Sequence, residues 1–180
     1  MHEAAIEETP EGRVARDNGW FILNIGEMAW KTVRGFGTSC SFNARTKDPD
    51  EPGIGVHVHV LMPGEANGYY HAEEAQEGFL VLSGECIAVV EGQERLMRQW
   101  DYLHSPPGTA HITVGAGAAP CAILMFGSPD SNRRVEWIAN EVAAKYRASV
   151  ARTTADAREA YADIPRTAAV RAPAPFNPSA

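Results

Sequence analysis

Two histidines and two carboxylates stand at spacings that suit a metal site. His71, Glu73 and Glu77 lie in one short polar segment. Alternate residues of a β-strand point to one face, so these three side chains can share a side. A turn of two prolines and a glycine then leads to His111. Because imidazole nitrogen and carboxylate oxygen bind divalent transition metals, the four residues predict a metal site.

The first group of residues resembles the first motif of the cupin superfamily. Gly64 opens the motif, His71 takes the place of its first histidine, Glu77 is its glutamate and Gly84 closes it. Glu73 stands where the family usually has its second histidine. The resemblance therefore implies that Glu73 occupies the position of a ligand.

The second cupin motif ends in Pro-x-Gly-x-x-His, which Pro106, Gly108 and His111 match. Trp100 replaces a usual glycine of this motif, and Gly115 replaces a usual asparagine. Two motifs in order and at the right separation identify the chain as a member of the superfamily.

The resemblance covers roughly residues 53–127. It implies an all-β fold, a cupin-type double-stranded β-helix or jelly-roll barrel, with a metal site inside. The many short strands separated by turn residues after Val56 agree with that fold. A short helical extension is expected at the carboxyl end.

A buried pair of carboxylates needs a cation. Burial costs several kcal/mol unless the charges are neutralised, and one divalent transition metal neutralises both. His71, Glu77 and His111 alone would form a two-histidine, one-carboxylate triad. Glu73 is then either a fourth ligand, which its strand position favours, or a catalytic general acid or base. The oxygen donors favour iron or manganese, while zinc, nickel and copper remain possible.

Strand alternation also predicts the walls of the pocket. Phe79 and Val81 share the parity of Glu77, and Thr113 shares the parity of His111. These three side chains are expected to line the site.

Two further histidines, His57 and His59, share one face of the preceding strand. They either line the mouth of the cavity or face solvent or a subunit contact, and the second alternative is slightly favoured. If one points inward, it is a candidate proton shuttle, because imidazole titrates near neutrality.

The rest of the chain divides by composition. We expect a flexible N-terminal arm at 1–18, the barrel at 19–128, C-terminal helices at 129–162 and a proline-rich tail at 163–180. A first strand is predicted over 19–25 and a loop over 45–55. Apolar residues at three- and four-residue steps predict one helix; they are Val135, Ile138, Val142 and Tyr146. A capping pair, Thr153 with Asp156, predicts a second short helix. Four prolines are expected to exclude regular structure from the tail.

Composition limits the partners. The 180 residues carry a formal net charge of −7, which argues against nucleic acid. No apolar run is long enough for a spanning helix, which argues against a membrane protein. Three cysteines without CxxC spacing indicate a cytoplasmic protein. The apolar pair Leu80 and Leu82, with the helical stripe, predicts a homodimer.

Together these features predict a metal-dependent cupin enzyme that acts on a small oxygen-rich organic substrate. Resemblance to cupin dioxygenases favours a dioxygenase or other oxidoreductase. The alternatives are a Lewis-acid isomerase or decarboxylase, which needs only a metal and a base, and a non-catalytic metabolite-binding cupin.

Overall fold

The computed structural model describes residues 2–44, 53–128 and 134–177. Nearly all of their regular structure is strand, with two short helices. The strands are β1 (Ile6–Thr9), β2 (Gly12–Ala15), β3 (Trp30–Thr32), β4 (Thr38–Ser41), β5 (Gly55–Leu61), β6 (His71–Glu73), β7 (Glu77–Ser83), β8 (Glu85–Val90), β9 (Gln93–Arg98), β10 (Tyr102–Ser105), β11 (His111–Ala116), β12 (Cys121–Gly127), β13 (Val135–Trp137) and β14 (Ala168–Val170). The helices are α1 (Glu141–Ala144) and α2 (Ala157–Ala160).

Two large antiparallel sheets form the barrel. One has the strand order β10-β7-β12-β5-β4-β3-β14 and the other the order β13-β6-β11-β8-β9. A buried cluster between them takes residues from both sheets, among them Phe79 and Val81 from β7 and Cys86 and Ala88 from β8. The predicted all-β cupin-type jelly roll is confirmed.

Strict alternation in β5 separates its two faces. Val58 and Val60 are buried in an apolar cluster on the outer face of the seven-stranded sheet. His57 and His59 point to the opposite face, because they are in register with Met125 and Ile123 of β12. Ile123 belongs to the cluster between the sheets, so both histidines face the barrel interior.

The termini cover the outer face of the seven-stranded sheet. Trp30 is fully buried there, and its ring stacks on that of Phe176 with the centroids 5.5 Å apart. Ala172 and Met28 bury their side chains in the same cluster, and Leu82 packs against it. Leu82, one of the two residues behind the homodimer prediction, is therefore partly covered by the chain itself. The homodimer stays a prediction.

Within the predicted flexible N-terminal arm, residues 6–15 form regular structure that the sequence analysis does not anticipate. β1 and β2 pair as an antiparallel hairpin, and Val14 and Ala15 are each 4% exposed. The predicted strand over 19–25 is wrong, since only an isolated bridge between Trp20 and Glu3 forms there. Ile22 is 88% exposed, so this apolar run lacks a sheet to pack against. The strand forms instead at β3.

The predicted carboxyl-terminal helices are much shorter than the apolar spacing suggests. Val135 begins β13, because the free edge of β6 pairs with this segment. The first helix begins only after Asn140, whose side chain accepts hydrogen bonds from the backbone N–H groups of Val142 and Ala143. Asp156 caps the second helix by accepting a bond from the N–H of Arg158.

The tail also contains regular structure, contrary to prediction. β14 pairs with β3 at the edge of the large sheet. Pro165 and Pro173 flank this three-residue strand and do not interrupt it, which is why pairing is possible. Residues 45–52, most of the predicted loop, and residues 129–133 and 178–180, which fall in the predicted helical segment and tail, lie outside the described residues.

Candidate metal centre

His71, Glu77 and His111 converge inside the barrel. Each is the first residue of its strand, on β6, β7 and β11 respectively. One potential ligand atom from each lies within 4.8 Å of the others. His71 and His111 are register partners, and their ring centroids are 4.9 Å apart. Glu77 comes from the opposite sheet, so the group joins the two layers of the barrel.

Main-chain carbonyl groups fix the tautomer of both histidines. Nδ1 of His71 lies 2.8 Å from the carbonyl oxygen of Tyr69. Nδ1 of His111 lies 2.9 Å from the carbonyl oxygen of Thr109. A carbonyl oxygen only accepts, so each Nδ1 carries its proton and donates. This leaves Nε2 of both rings with the lone pair that a metal needs.

Ser105 supports the second ring. It is 1% exposed, and its Oγ lies 3.2 Å from Nδ1 of His111. Ser105 is also the register partner of Glu77, so it lies between two members of the group. Sequence reasoning missed it, because its neighbour Glu77 is distant along the chain and no local pattern indicates the pairing.

Nε2 of His111 lies 2.9 Å from Oε2 of Glu77. With the proton on Nδ1, both atoms are acceptors, and two acceptors at this distance repel each other. Only a proton or a metal ion between them removes the repulsion. Burial alone lowers the pKa of His111, but the hydrogen bond and charge of Glu77 outweigh it and hold the pKa above its ordinary value.

Glu73 lies in the same interior without joining the group of three. It follows His71 by two residues on β6 and therefore shares its face. The residue is 6% exposed, and its negative charge contributes to the raised pKa of His111. That Glu73 is a fourth ligand or a catalytic acid or base stays a prediction.

The predicted wall residues are fully buried. The ring of Phe79 meets the ring of His111 edge to face, with centroids 5.0 Å apart. Val81 belongs to the cluster between the sheets. Thr113 lies two residues after His111 on β11, and its Oγ1 has no hydrogen-bond partner among the described residues. A bound molecule can therefore find both an apolar wall and a hydroxyl group here.

His57 and His59 both face the interior, so the slightly favoured alternative, that they face solvent or a subunit contact, is wrong. Their ring centroids are 6.4 Å apart. His59 lines a cavity of about 460 Å³ at the end of the barrel. Burial, helped by the nearby ring of His57, lowers the pKa of His59 from 6.5 to about 4. His59 is therefore neutral at physiological pH.

Further residues at this end of the barrel come from remote segments. Trp137 of β13 is the register partner of His71, and its Nε1 donates to the hydroxyl oxygen of Tyr161 at 3.3 Å. The same hydroxyl accepts a bond from the backbone N–H of Tyr69. Sequence reasoning missed Trp137 and Tyr161, because neither stands in a motif.

No helix of the described residues is long and apolar enough to cross a membrane. No curated protein matches the sequence.

The chain is similar to several solved structures. A sugar phosphate isomerase of a cupin superfamily from Silicibacter pomeroyi is 22% identical, with a TM-score of 0.48, over 54% of this chain and 62% of that one. An RmlC-like cupin from Shewanella frigidimarina is 20% identical, with a TM-score of 0.44, over 54% and 80%. A DMSP lyase from Ruegeria pomeroyi is 20% identical, with a TM-score of 0.43, over 54% and 49%. The chain thus spans less than two thirds of the isomerase and of the lyase.

A family model described as "Cupin domain" matches residues 57–127. The match runs from β5 to the end of β12 and contains all three residues of the converging group. Residues 57–127 therefore match the cupin domain that the two sequence motifs predict.

Proposed function

We propose that the barrel binds one divalent transition metal through His71, Glu77 and His111. The observation that carries this proposal is the 2.9 Å approach of Nε2 of His111 to Oε2 of Glu77. The Nδ1–H tautomer places two acceptors face to face there, and a cation between them converts repulsion into coordination. The main-chain bond at Nδ1 of His71 prepares its Nε2 in the same way.

We further propose that the site is catalytic and acts on a small oxygen-rich organic molecule, as a dioxygenase or other oxidoreductase. Two histidines and one carboxylate are the donor set of many non-haem iron oxygenases, and this supports iron or manganese, with zinc, nickel or copper as alternatives. A redox-active ion would supply the electron transfer. The buried ring of Phe79 packs against the ring of His111 and helps to exclude water from it, and Oγ1 of Thr113 offers a hydrogen bond to the substrate.

One observation favours the Lewis-acid alternative. Glu73 is a buried carboxylate in the same interior as the metal group but outside it. A carboxylate in that position can take a proton from a carbon next to a polarised carbonyl group and return it elsewhere. Such proton transfer is what an isomerase or a decarboxylase requires, and it needs no redox metal.

Elemental analysis tests the metal. Protein purified without added metal should carry about one ion per chain, and Glu77→Gln should lose most of it. Glu74→Gln is the matched control, because Glu74 lies three residues away and is exposed, and it should keep the metal. If neither the unaltered protein nor protein supplied with each metal takes up an ion, the proposal is wrong.

The identity of the ion and the role of Glu73 separate the two chemistries. Iron or manganese with oxygen uptake in the presence of an organic acid supports the oxidoreductase. Zinc without oxygen uptake supports the Lewis-acid alternative. In Glu73→Gln, loss of the metal would mark Glu73 as a ligand, whereas retained metal with lost turnover would mark it as the acid or base.

A further inference from the structure

The cavity of about 460 Å³ lies where the tail docks on the barrel. β3 and β4 form one side, and the segment from Tyr161 to Thr167 forms the other. The pairing of β14 with β3 holds this segment in place. Apart from Asn67 and Gly68, the residues that line this cavity lie outside both cupin motifs.

Residues that line the cavity contact neighbours of the metal group, although no described lining residue belongs to that group. Asn67 lines the cavity, and its Oδ1 accepts a bond from the backbone N–H of Thr113, two residues from His111. On the other side, Tyr161 lines the cavity and bonds to Trp137, the register partner of His71. Two short routes of contacts therefore lead from the cavity to the two histidines.

Asn67 offers a hydrogen-bond donor to a bound molecule. The bond from Thr113 holds its Oδ1 and so fixes the orientation of the amide group. Its Nδ2 donates to Sδ of Met125 at 3.6 Å, and a thioether is a weak acceptor. An amide nitrogen has two hydrogens, so Nδ2 retains a donor for a better acceptor.

Two cations stand at the rim of the same cavity. Lys31 is the register partner of Ser39, which pairs in turn with His59, so Lys31 points to the interior face of the sheet. Arg166 approaches from the tail. Neither forms an ion pair with another described residue, and no described lining residue is acidic. This is notable in a chain of net charge −7, since chance placement would favour acidic residues.

We infer that this cavity admits the substrate to the metal group and selects a small organic anion. Lys31 and Arg166 bind its carboxylate or phosphate group, and Asn67 donates a hydrogen bond to its oxygen atoms. The inference rests on the proposed function for what happens beyond the cavity, but the anion site itself follows from the residues that line it.

Calorimetric titration tests the inference with three probes: succinate, glycerol 3-phosphate and the neutral succinamide. Each is added to the full chain, with and without manganese. The test variant is Lys31→Gln with Arg166→Gln. The control is Arg95→Gln with Arg158→Gln, which removes the same charge from exposed positions outside the cavity.

At least one anion should bind the unaltered protein, and the tighter of the two identifies the preferred group. The test variant should weaken that binding by roughly tenfold or more, and the control should leave it nearly unchanged. Added salt should weaken binding to the unaltered protein more than to the test variant.

Three results would overturn the inference: no anion binding up to about 10 mM, equal binding of succinamide, or equal loss in the test and control variants. Metal content is measured on the same samples. A protein that binds no metal but binds an anion through Lys31 and Arg166 would therefore refute the proposed function alone.

Discussion

Acidification should destabilise the protein through His59. Burial lowers the pKa of this imidazole from 6.5 to about 4, with a further contribution from His57. The fold therefore holds the ring neutral, whereas the unfolded chain takes up a proton as the pH falls through 6.5. Between these two values the unfolded state binds more protons, so the free energy of unfolding decreases as the pH falls.

The size of the effect follows from the separation of the two pKa values. Each unit corresponds to about 1.4 kcal/mol, so the full loss is about 3 kcal/mol once the pH reaches the pKa of the folded state. Roughly half of this loss is expected near pH 5. The contribution is fully present above pH 6.5 and absent below pH 4.

Urea unfolding of the metal-free protein at several pH values measures this decrease in the free energy of unfolding. His59→Gln removes the titrating ring, so its free energy of unfolding should fall less steeply with acid than that of the unaltered protein. His104→Gln removes an exposed ring on β10 and should follow the unaltered protein. Parallel curves for the unaltered protein and His59→Gln between about pH 4 and 7 would refute the reasoning.

Three other substitutions probe the fold and the site. Gly115→Ala should cost about 2 kcal/mol in urea unfolding, because a Cβ atom there would lie 2.4 Å from the backbone carbonyl oxygen of Met62; an unchanged midpoint would contradict this. Ser105→Ala should weaken metal binding about tenfold in a competition titration, because it removes the hydroxyl group beside Nδ1 of His111; unchanged affinity would show that the Thr109 carbonyl suffices. Phe176→Ala should lower stability by about 2 kcal/mol, because it removes the ring stacked on a buried indole; an unaltered melting temperature would mean that the tail contributes nothing.

The barrel and the converging group were predictable because their signals are local. His71 and Glu77 stand in one motif, and two adjacent prolines followed by a glycine predict the turn before His111. Alternation correctly places Glu73 on the same face as His71 within β6, but it cannot tell that the carboxylate of Glu73 stays outside the group of three. The prediction that Glu77 shares that face through alternation is wrong, because Glu77 begins β7 in the opposite sheet and meets the histidines only when the barrel closes.

The remaining elements depend on partners far along the chain. Val135 fits a helical stripe as well as a strand, and only the free edge of β6 decides between them. The tail strand forms because β3 offers an edge, which no pattern near Pro165 or Pro173 indicates. Likewise, Asn67 reaches the site through the backbone of a strand 46 residues later. Tertiary contacts of this kind override local propensity.

The two histidines belong to one sheet and Glu77 to the other, and this division has a mechanical consequence. An ion bound by all three would act as a cross-link through the centre of the barrel. Motions that separate the sheets and admit deuterium to their backbone amides would first have to break a coordination bond. Loading the ion should therefore slow amide exchange in β7 and β11 together, although those strands share no hydrogen bonds.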